Sequence, residues 1–250
     1  MIIGIGASEE IEKVLVAAEK VSSDTISVIV FLPEGVQTRS DTPLRYHHSQ
    51  HPERALIDAL LRGEIDGGVR GTLPAHSTLR YLREATGVNQ IERVALLETI
   101  EGRRFLLTPV GVDEGMTIND KVRLIRGAER LADQIGIDRS VGILSGGRLG
   151  DIGRSPDVDR TLAEAELLAR ITGGIHAEIL IEEAVHTFGI VIAPDGISGN
   201  LIFRTLVLLG SGTGHGAPVV NIGVSFVDTS RASENYGNAI HLAAAIASQK

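Results

Sequence analysis

Apolar positions along the chain fall into two alternating patterns. Short runs rich in β-branched residues are followed by longer segments whose apolar residues recur at a helical spacing of three or four. Residues 1–5 and 25–32 read as strands. Between them Ser8-Glu-Glu opens a helix through Val14, Leu15, Ala18 and Val21, with Ser8 suited to the N-cap and the acids to the helix dipole. Residues 34–51 form a polar loop without a period, 52–62 a short helix, and 67–71 a buried strand with a tight exit. A helix over 77–85 precedes paired strands at 94–99 and 105–110, and a long helical pattern covers 118–135.

The second half repeats the alternation. Val141-Gly-Ile-Leu-Ser145 is a strand that enters a glycine-rich loop over 146–153, and an amphipathic helix follows over 158–171. Residues 189–193 read as a strand, 199–209 as a helix, 217–226 as a last strand region and 233–248 as the C-terminal helix. Strands alternating with helices predict an α/β protein with mostly parallel sheets covered by helices on both faces. In such sheets ligands sit beyond the carboxyl ends of the strands. No repeat or low-complexity tract interrupts the pattern.

Composition narrows the classes. The 250 residues are 43% hydrophobic, ample for a core without metal or disulfide. The 24 basic and 32 acidic residues give a formal net charge of −8, and there are three Tyr, five Phe and no Trp. That balance argues against nucleic acid as a partner, since phosphate-backbone affinity comes from Lys and Arg, and stacking platforms are few. The chain has no Cys, which excludes thiolate catalysis and Cys-ligated zinc and suits a reducing compartment. No apolar run approaches a membrane span, and no basic leader precedes the first strand, so a cytoplasmic location is expected.

Several segments carry candidate chemistry. Gly4-Ile-Gly6-Ala-Ser8 has the strand–turn–helix setting of a phosphate turn, but Glu9 stands where a dinucleotide fingerprint needs its third glycine, so a plain tight turn is the better reading. His47 and His51 have a metal-ligand spacing if helical, yet Pro43, Pro52 and the polar surroundings favour a solvated loop and no metal. The loop Ser145-Gly-Gly-Arg148-Leu-Gly-Asp-Ile-Gly-Arg154-Ser155 could turn backbone N–H groups and two guanidinium groups toward a phosphate or carboxylate; the alternative is a solvated turn. In Pro194-Asp195-Gly-Ile-Ser-Gly199-Asn200, Asp195 suits helix capping at least as well as a ligand. Asp228-Thr-Ser230-Arg231 places a hydroxyl beside a guanidinium, fit for a phosphoryl group or an oxyanion, or for a cap with a solvated Arg. No Gly-x-Ser-x-Gly elbow is present, which argues against a covalent serine.

Together these segments resemble the phosphate acetyl/butyryltransferase family. The shared features are Asp66-Gly-Gly-Val-Arg-Gly, His76-Ser77-Thr78 followed by Arg83, the Leu-Ser-x-x-x-x-Gly-Ser-like region from Leu144, the Pro-Asp-x-x-x-Gly-Asn spacing with Arg204, and Asp-x-Ser-Arg. All occur in the family's order. Within it the chain looks closest to the archaeal methanogenesis marker protein 4 group, also labelled a methyltransferase subunit X.

The resemblance implies the two-domain fold of isocitrate and isopropylmalate dehydrogenases with an interdomain cleft. The first domain would span residues 1–111 plus 226–250, with 112–225 inserted and carrying a homodimer interface. It implies a transferase acting on a small phosphorylated substrate, with coenzyme A or an acyl phosphate as substrate and no tightly bound cofactor. Ser230 and Arg231 would be catalytic. Arg83, Ser77, Thr78, Ser145, Arg148, Arg154, Asp195 and Asn200 would bind the ligand. Gly237 stands where the family has an active-site Asp, with Glu234 as the nearest substitute. That departure supports the alternative of a non-catalytic accessory subunit partnered with a methanogenesis enzyme. A further alternative is a metal-dependent dehydrogenase of the same fold, using His47, His48 or His51.

Overall fold

The computed structural model describes residues 1–230 and 235–249. The chain divides into two compact units, Met1–Ile91 with His215–Lys250, and Glu92–Gly214. The junctions thus lie at 91/92 and 214/215, where the family resemblance implied 111/112 and 225/226. The difference has a simple origin. The strand pair over 94–110 belongs to the second unit's sheet, because its later strand pairs with one from residues 190–192.

The first unit is a sheet in the order β3-β2-β1-β4-β11-β10. Its strands are β1 (Ile2–Gly6), β2 (Ser27–Pro33), β3 (Arg45–Ser49), β4 (Gly67–Val69), β10 (Thr213–Pro218, entering this unit at His215) and β11 (Ser225–Asp228). All neighbours are parallel except β10 and β11, which split the single strand expected over 217–226 into an antiparallel pair. The helices are α1 (Ile11–Val21), α2 (Pro52–Leu61), α3 (Ala75–Thr86) and α8 (Gly237–Ala247). A core of Phe31, Leu56, Ile57, Leu60, Leu73, Leu82 and Phe226 fills the face under α2 and α3. Burial of side chains this size contributes roughly 1.5–3 kcal/mol each. At the centre, a Cβ on Gly67 would lie 3.2 Å from the Ala243 carbonyl, and one on Gly68 3.2 Å from Leu60. Two glycines in β4 therefore let α8 and α2 close on opposite faces of the sheet.

Two local readings are corrected here. Helix α1 begins at Ile11 and Ser8 does not cap it; Glu10, with φ 44°, occupies the cap position without a side-chain bond. The Ser8 hydroxyl instead donates to the Thr72 carbonyl at 3.1 Å. The polar segment 34–51 contains β3, paired with β2 from Arg45 to Ser49. As an edge strand with partly exposed side chains on both faces, it lacks the alternation that marks a half-buried strand.

The second unit has the order β5-β6-β9-β7-β8. Strands β5 (Ala95–Glu98) and β6 (Arg104–Thr108) form an antiparallel pair, while β7 (Val141–Ile143), β8 (Ile175–His176) and β9 (Ile190–Ile192) are parallel. Helices α4 (Ile118–Ile135), α5 (Pro156–Thr172), α6 (Ile181–Thr187) and α7 (Gly196–Arg204) complete it. Helix α4 matches the predicted segment because both ends are written locally. Thr117 and Asp120 form a reciprocal capping box, and Gly136 closes the end with φ 70°. Helix α7 starts three residues earlier than the sequence pattern suggests and passes into a π-helical turn over Thr205–Leu209. Among the described residues, no helix is long and apolar enough to cross a membrane.

Candidate functional site

The Asp228-Thr-Ser230 segment follows β11 and is tied to the exit of β4. Arg70 Nε donates to Asp228 Oδ1 at 2.5 Å, with side chains only 4% and 9% exposed. Arg70 Nη1 also donates to the Leu73 carbonyl at 2.6 Å, and Thr229 N donates to Asp228 Oδ1 at 2.9 Å. The Thr229 hydroxyl donates to the Gly71 carbonyl at 2.8 Å. Gly71 adopts φ +61°, and a Cβ there would lie 1.9 Å from the Gly6 carbonyl oxygen, so only glycine fits this turn. The Asp66-Gly-Gly-Val-Arg-Gly and Asp-x-Ser motifs are thus two halves of one buried lock. It presents Ser230, half-buried, just past the carboxyl end of β11. The Tyr236 hydroxyl donates to the Ser230 carbonyl at 3.4 Å. Arg231 and Glu234 lie outside the described residues.

On α3, the Thr78 hydroxyl is buried and donates to the Pro74 carbonyl at 2.8 Å, while Ser77 makes a longer bond of 3.3 Å to the same oxygen. Both hydroxyls thereby secure the first turn of the helix. Arg83 is exposed in the last turn. Gly237 is the first residue of α8 and buried; a Cβ there would meet Asn235 Oδ1 at 3.0 Å and Val21 Cγ2 at 3.1 Å. This position is packed on α1 and has little space for a carboxylate.

In the second unit the glycine-rich loop springs from β7. Ser145, 2% exposed, has its Oγ 2.9 Å from the Gly147 carbonyl and 2.8 Å from His176 Nε2. Three of the loop's backbone donors are engaged by the protein's own carboxylates. Arg148 N donates to Asp151 Oδ2 at 2.8 Å, Leu149 N to Glu178 Oε1 at 2.8 Å, and Gly153 N to Asp159 Oδ1 at 2.7 Å. The Arg148 amide, with Arg154 at 2.7 Å, holds the Asp151 carboxyl below its usual range. Arg148 and Arg154 are both exposed.

The Pro-Asp-x-x-x-Gly-Asn segment also has a physical basis. Asp195 caps α7 by accepting from Ser198 N at 2.7 Å, and Asn200 Nδ2 donates to the Val110 carbonyl at 3.0 Å. A Cβ on Gly196 would lie 1.7 Å from the Gly111 carbonyl, and one on Gly199 1.9 Å from that of Pro109. The motif lets α7 start directly on the 109–111 backbone. The same backbone is held from the other side by Glu114, which is 2% exposed at its side chain. It accepts from Arg93 Nε at 2.6 Å and from Gly111 N at 3.1 Å. Burial pushes the Glu114 carboxyl up, against the opposing pull of Arg93.

The β1–α1 turn has a resident hydrogen-bond acceptor. Thr72 Oγ1 accepts from Ser8 N at 3.1 Å and Glu9 N at 3.4 Å, filling the place a phosphate oxygen would take. His47 and His48 are consecutive on a strand and so point to opposite faces, and His47 and His51 do not share a helix face. No group of three or more metal-ligating side chains occurs among the described residues. His47 and His51 instead border an open cavity of about 370 Å³ along α2, floored by Phe31, Ala55 and Ala59.

The structure therefore divides the expected site residues between the units. Ser77, Thr78, Arg83 and Ser230 belong to the first, and Ser145, Arg148, Arg154, Asp195 and Asn200 to the second. Sequence reading passes over Arg70, Thr72, Glu114, Glu166, His176 and Glu178. Only Arg70 carries a local signal, its place in the Gly-Gly-Val-Arg-Gly run.

The α/β fold with mostly parallel sheets is shared with solved phosphotransacylases. A branched-chain phosphotransacylase from Enterococcus faecalis V583 superposes with a TM-score of 0.77 at 19% identity, covering 99% of each chain. A phosphotransacetylase from Streptococcus pyogenes gives 0.70 at 16% identity, over 100% of this chain and 94% of that one. No protein-family model matches the sequence. Two curated relatives, from Methanosarcina barkeri and Methanosarcina mazei, bear the name "Putative methyltransferase mtx subunit X". The first is 43% identical over 253 residues, 98% of this chain and 92% of its own length. The second is 50% identical over 214 residues, 82% and 75% respectively. The chain belongs to this mtx subunit X family of methanogens.

Proposed function

We propose that the protein is a phosphate-acyltransferase-type enzyme acting on a phosphorylated or coenzyme A-linked acyl substrate. The observation that carries this reading is the buried Arg70–Asp228–Thr229 lock, which presents Ser230 at a strand's carboxyl end, where α/β sheets place their ligands. No covalent intermediate is needed. A coenzyme A thiolate attacks the acyl-phosphate carbonyl and expels phosphate, or phosphate attacks the thioester and expels the thiolate. Ser230 donates to the developing oxyanion, Arg231 and Arg83 hold the phosphoryl group, and Ser77 and Thr78 fix the first turn of α3. In the second unit, the Ser145–Ser155 loop offers backbone and arginine donors to a phosphorylated ligand. Asn200 serves by fixing the 109–111 backbone and Asp195 by capping α7.

The proposal extends to the dehydrogenase-like two-domain description of the fold, a cytoplasmic location, and a homodimer formed through the second unit. In that unit Ile152, Ile175, Ile197, Leu201 and Leu209 are between 59% and 82% exposed, which favours a covered surface.

The test is thiol release from a panel of acyl-coenzyme A thioesters, with phosphate or arsenate as acceptor. The protein has no cysteine and contributes no background. Acceptor-dependent release, reduced about 10²-fold in Ser230→Ala, is expected. The second reading, an accessory subunit in methanogenesis, is favoured by the packed Gly237 in place of a carboxylate. Silence across the panel from folded protein, with a methanogenesis enzyme co-purifying from native extract, would establish it instead.

A further inference from the structure

The second unit carries a hydrogen-bonded chain that the acyl-transfer reading does not use. Ser145 Oγ lies 2.8 Å from Nε2 of His176, and Nδ1 of the same ring lies 2.8 Å from Oε1 of Glu166. The imidazole is 6% exposed and Glu166 58%. Ser145 Oγ also lies 2.9 Å from the carbonyl of Gly147, inside the glycine-rich loop. A serine hydroxyl has a single hydrogen to give. When the ring is neutral and Nδ1–H faces Glu166, the Nε2 lone pair and the Gly147 carbonyl compete for that hydrogen. When the ring is an imidazolium, Nε2–H donates to Ser145 Oγ, the serine hydrogen passes to the Gly147 carbonyl, and Nδ1–H still meets Glu166. Only the charged ring gives every one of these groups a partner.

We infer that His176 is a positioning residue whose protonation, relayed through Ser145 Oγ, sets how firmly the Gly146–Gly147 turn is held. Ligand binding on this loop is thereby proton-dependent, a consequence that rests on the loop taking the phosphorylated ligand as proposed above. The elements around the ring are few. β8 is the edge strand of its sheet, its neighbour β7 (Val141–Ile143) has no ionisable side chain, and α5 supplies Glu166. Beyond β8 the nearest carboxylate in sequence, Glu178, is engaged by Leu149 N. The other members of the turn do not titrate. Gly146 N donates to Thr161 Oγ1 at 2.9 Å, and Ser145 N to the Glu178 carbonyl at 2.7 Å.

Histidine and amide NMR on the full chain between pH 5 and 8 tests the relay, with His176→Gln identifying the ring signal among the eight histidines by its loss. The Gly146 and Gly147 amides are expected to move with the midpoint of the His176 ring. In Ser145→Ala the ring still titrates and the glycines no longer follow. His176→Gln keeps an N–H donor without a titration, so the glycines hold one position at every pH. A merely structural pin changes stability in these variants but produces no shared midpoint. A second arm measures calorimetric binding of coenzyme A and of inorganic phosphate at pH 5.5 and 8. Beyond phosphate's own ionisation, which both proteins share, the wild type should lose roughly three- to tenfold in affinity at the higher pH, the worth of one hydrogen bond, and His176→Gln should not. Glycine amides that ignore the ring's titration, or an equal affinity loss in His176→Gln, overturn the inference. Amides that follow the ring while neither probe binds uphold the positioning role and refute this loop as the ligand's seat.

Discussion

Asp228→Ala removes the carboxylate beneath the Ser230 turn and leaves Arg70 buried with the Leu73 carbonyl at 2.6 Å. Two opposite charges about 4 Å apart at an effective dielectric near 20 attract by roughly 4 kcal/mol. Breaking a buried pair typically costs about 3–5 kcal/mol, because the surviving charge is stranded. With about 2–4 °C of melting temperature per kcal/mol for a chain of this size, the midpoint should fall by roughly 6–20 °C. Arg70→Met should cost a similar amount, since Asp228 then keeps only the Thr229 amide among its two bonds given above. The double variant Arg70→Met/Asp228→Ala strands neither charge and should recover at least half of either loss. The assay is urea and thermal unfolding followed by circular dichroism on the four proteins of the cycle. Single variants within about 1 kcal/mol of wild type, or losses that simply add in the double, would refute the claim that the pair acts as a unit.

Gly196→Ala should prevent folding, because its Cβ would lie 1.7 Å from the Gly111 carbonyl. Gly150→Ala, with nothing within 4 Å, should leave the melting temperature unchanged. Asn200→Ala and Asp195→Ala should each cost about 1 kcal/mol in urea unfolding through the lost bonds to Val110 O and Ser198 N. The Glu114 carboxyl has a folded pKa raised by burial above its ordinary 4.5, so the folded state binds its proton more readily than the unfolded chain. Its contribution to stability is therefore fully present below that ordinary value and is lost as pH rises through the raised one; Glu114→Gln should flatten this part of the stability curve measured by urea midpoints from pH 4 to 8.

How much could be read from the sequence depended on whether the deciding partner was local. Helix α4 was legible to the residue because its capping box and closing glycine sit within its own segment. Strand β3 was not, since an edge strand reading Arg-Tyr-His-His-Ser has no buried face to impose alternation. Ser8 looks like a cap until Thr72, 64 residues away, claims it. The motifs at the strand ends were visible, but most duties of their residues were not. Asp228 is explained by an arginine 158 positions earlier and Asn200 by the Val110 carbonyl, whereas Asp195 caps its own helix as its sequence suggests. Ser145, His176 and Glu166 have no spacing signature, because the fold alone brings β7, β8 and α5 together.

The three carboxylates on the glycine-rich loop have a consequence for selectivity. With Asp151, Glu178 and Asp159 already seated on the amides of Arg148, Leu149 and Gly153, any anion arriving there enters by exchange rather than by filling a vacancy. Its affinity is the difference between two electrostatic energies, and the displaced group is tethered, so its effective concentration stays high. Singly charged buffer ions gain almost nothing from such a trade. A doubly charged phosphoryl group, with more acceptor oxygens than the carboxylate it replaces, does gain. If the loop takes the phosphorylated ligand as proposed, the same contacts hold its shape without the ligand and discount weak competitors.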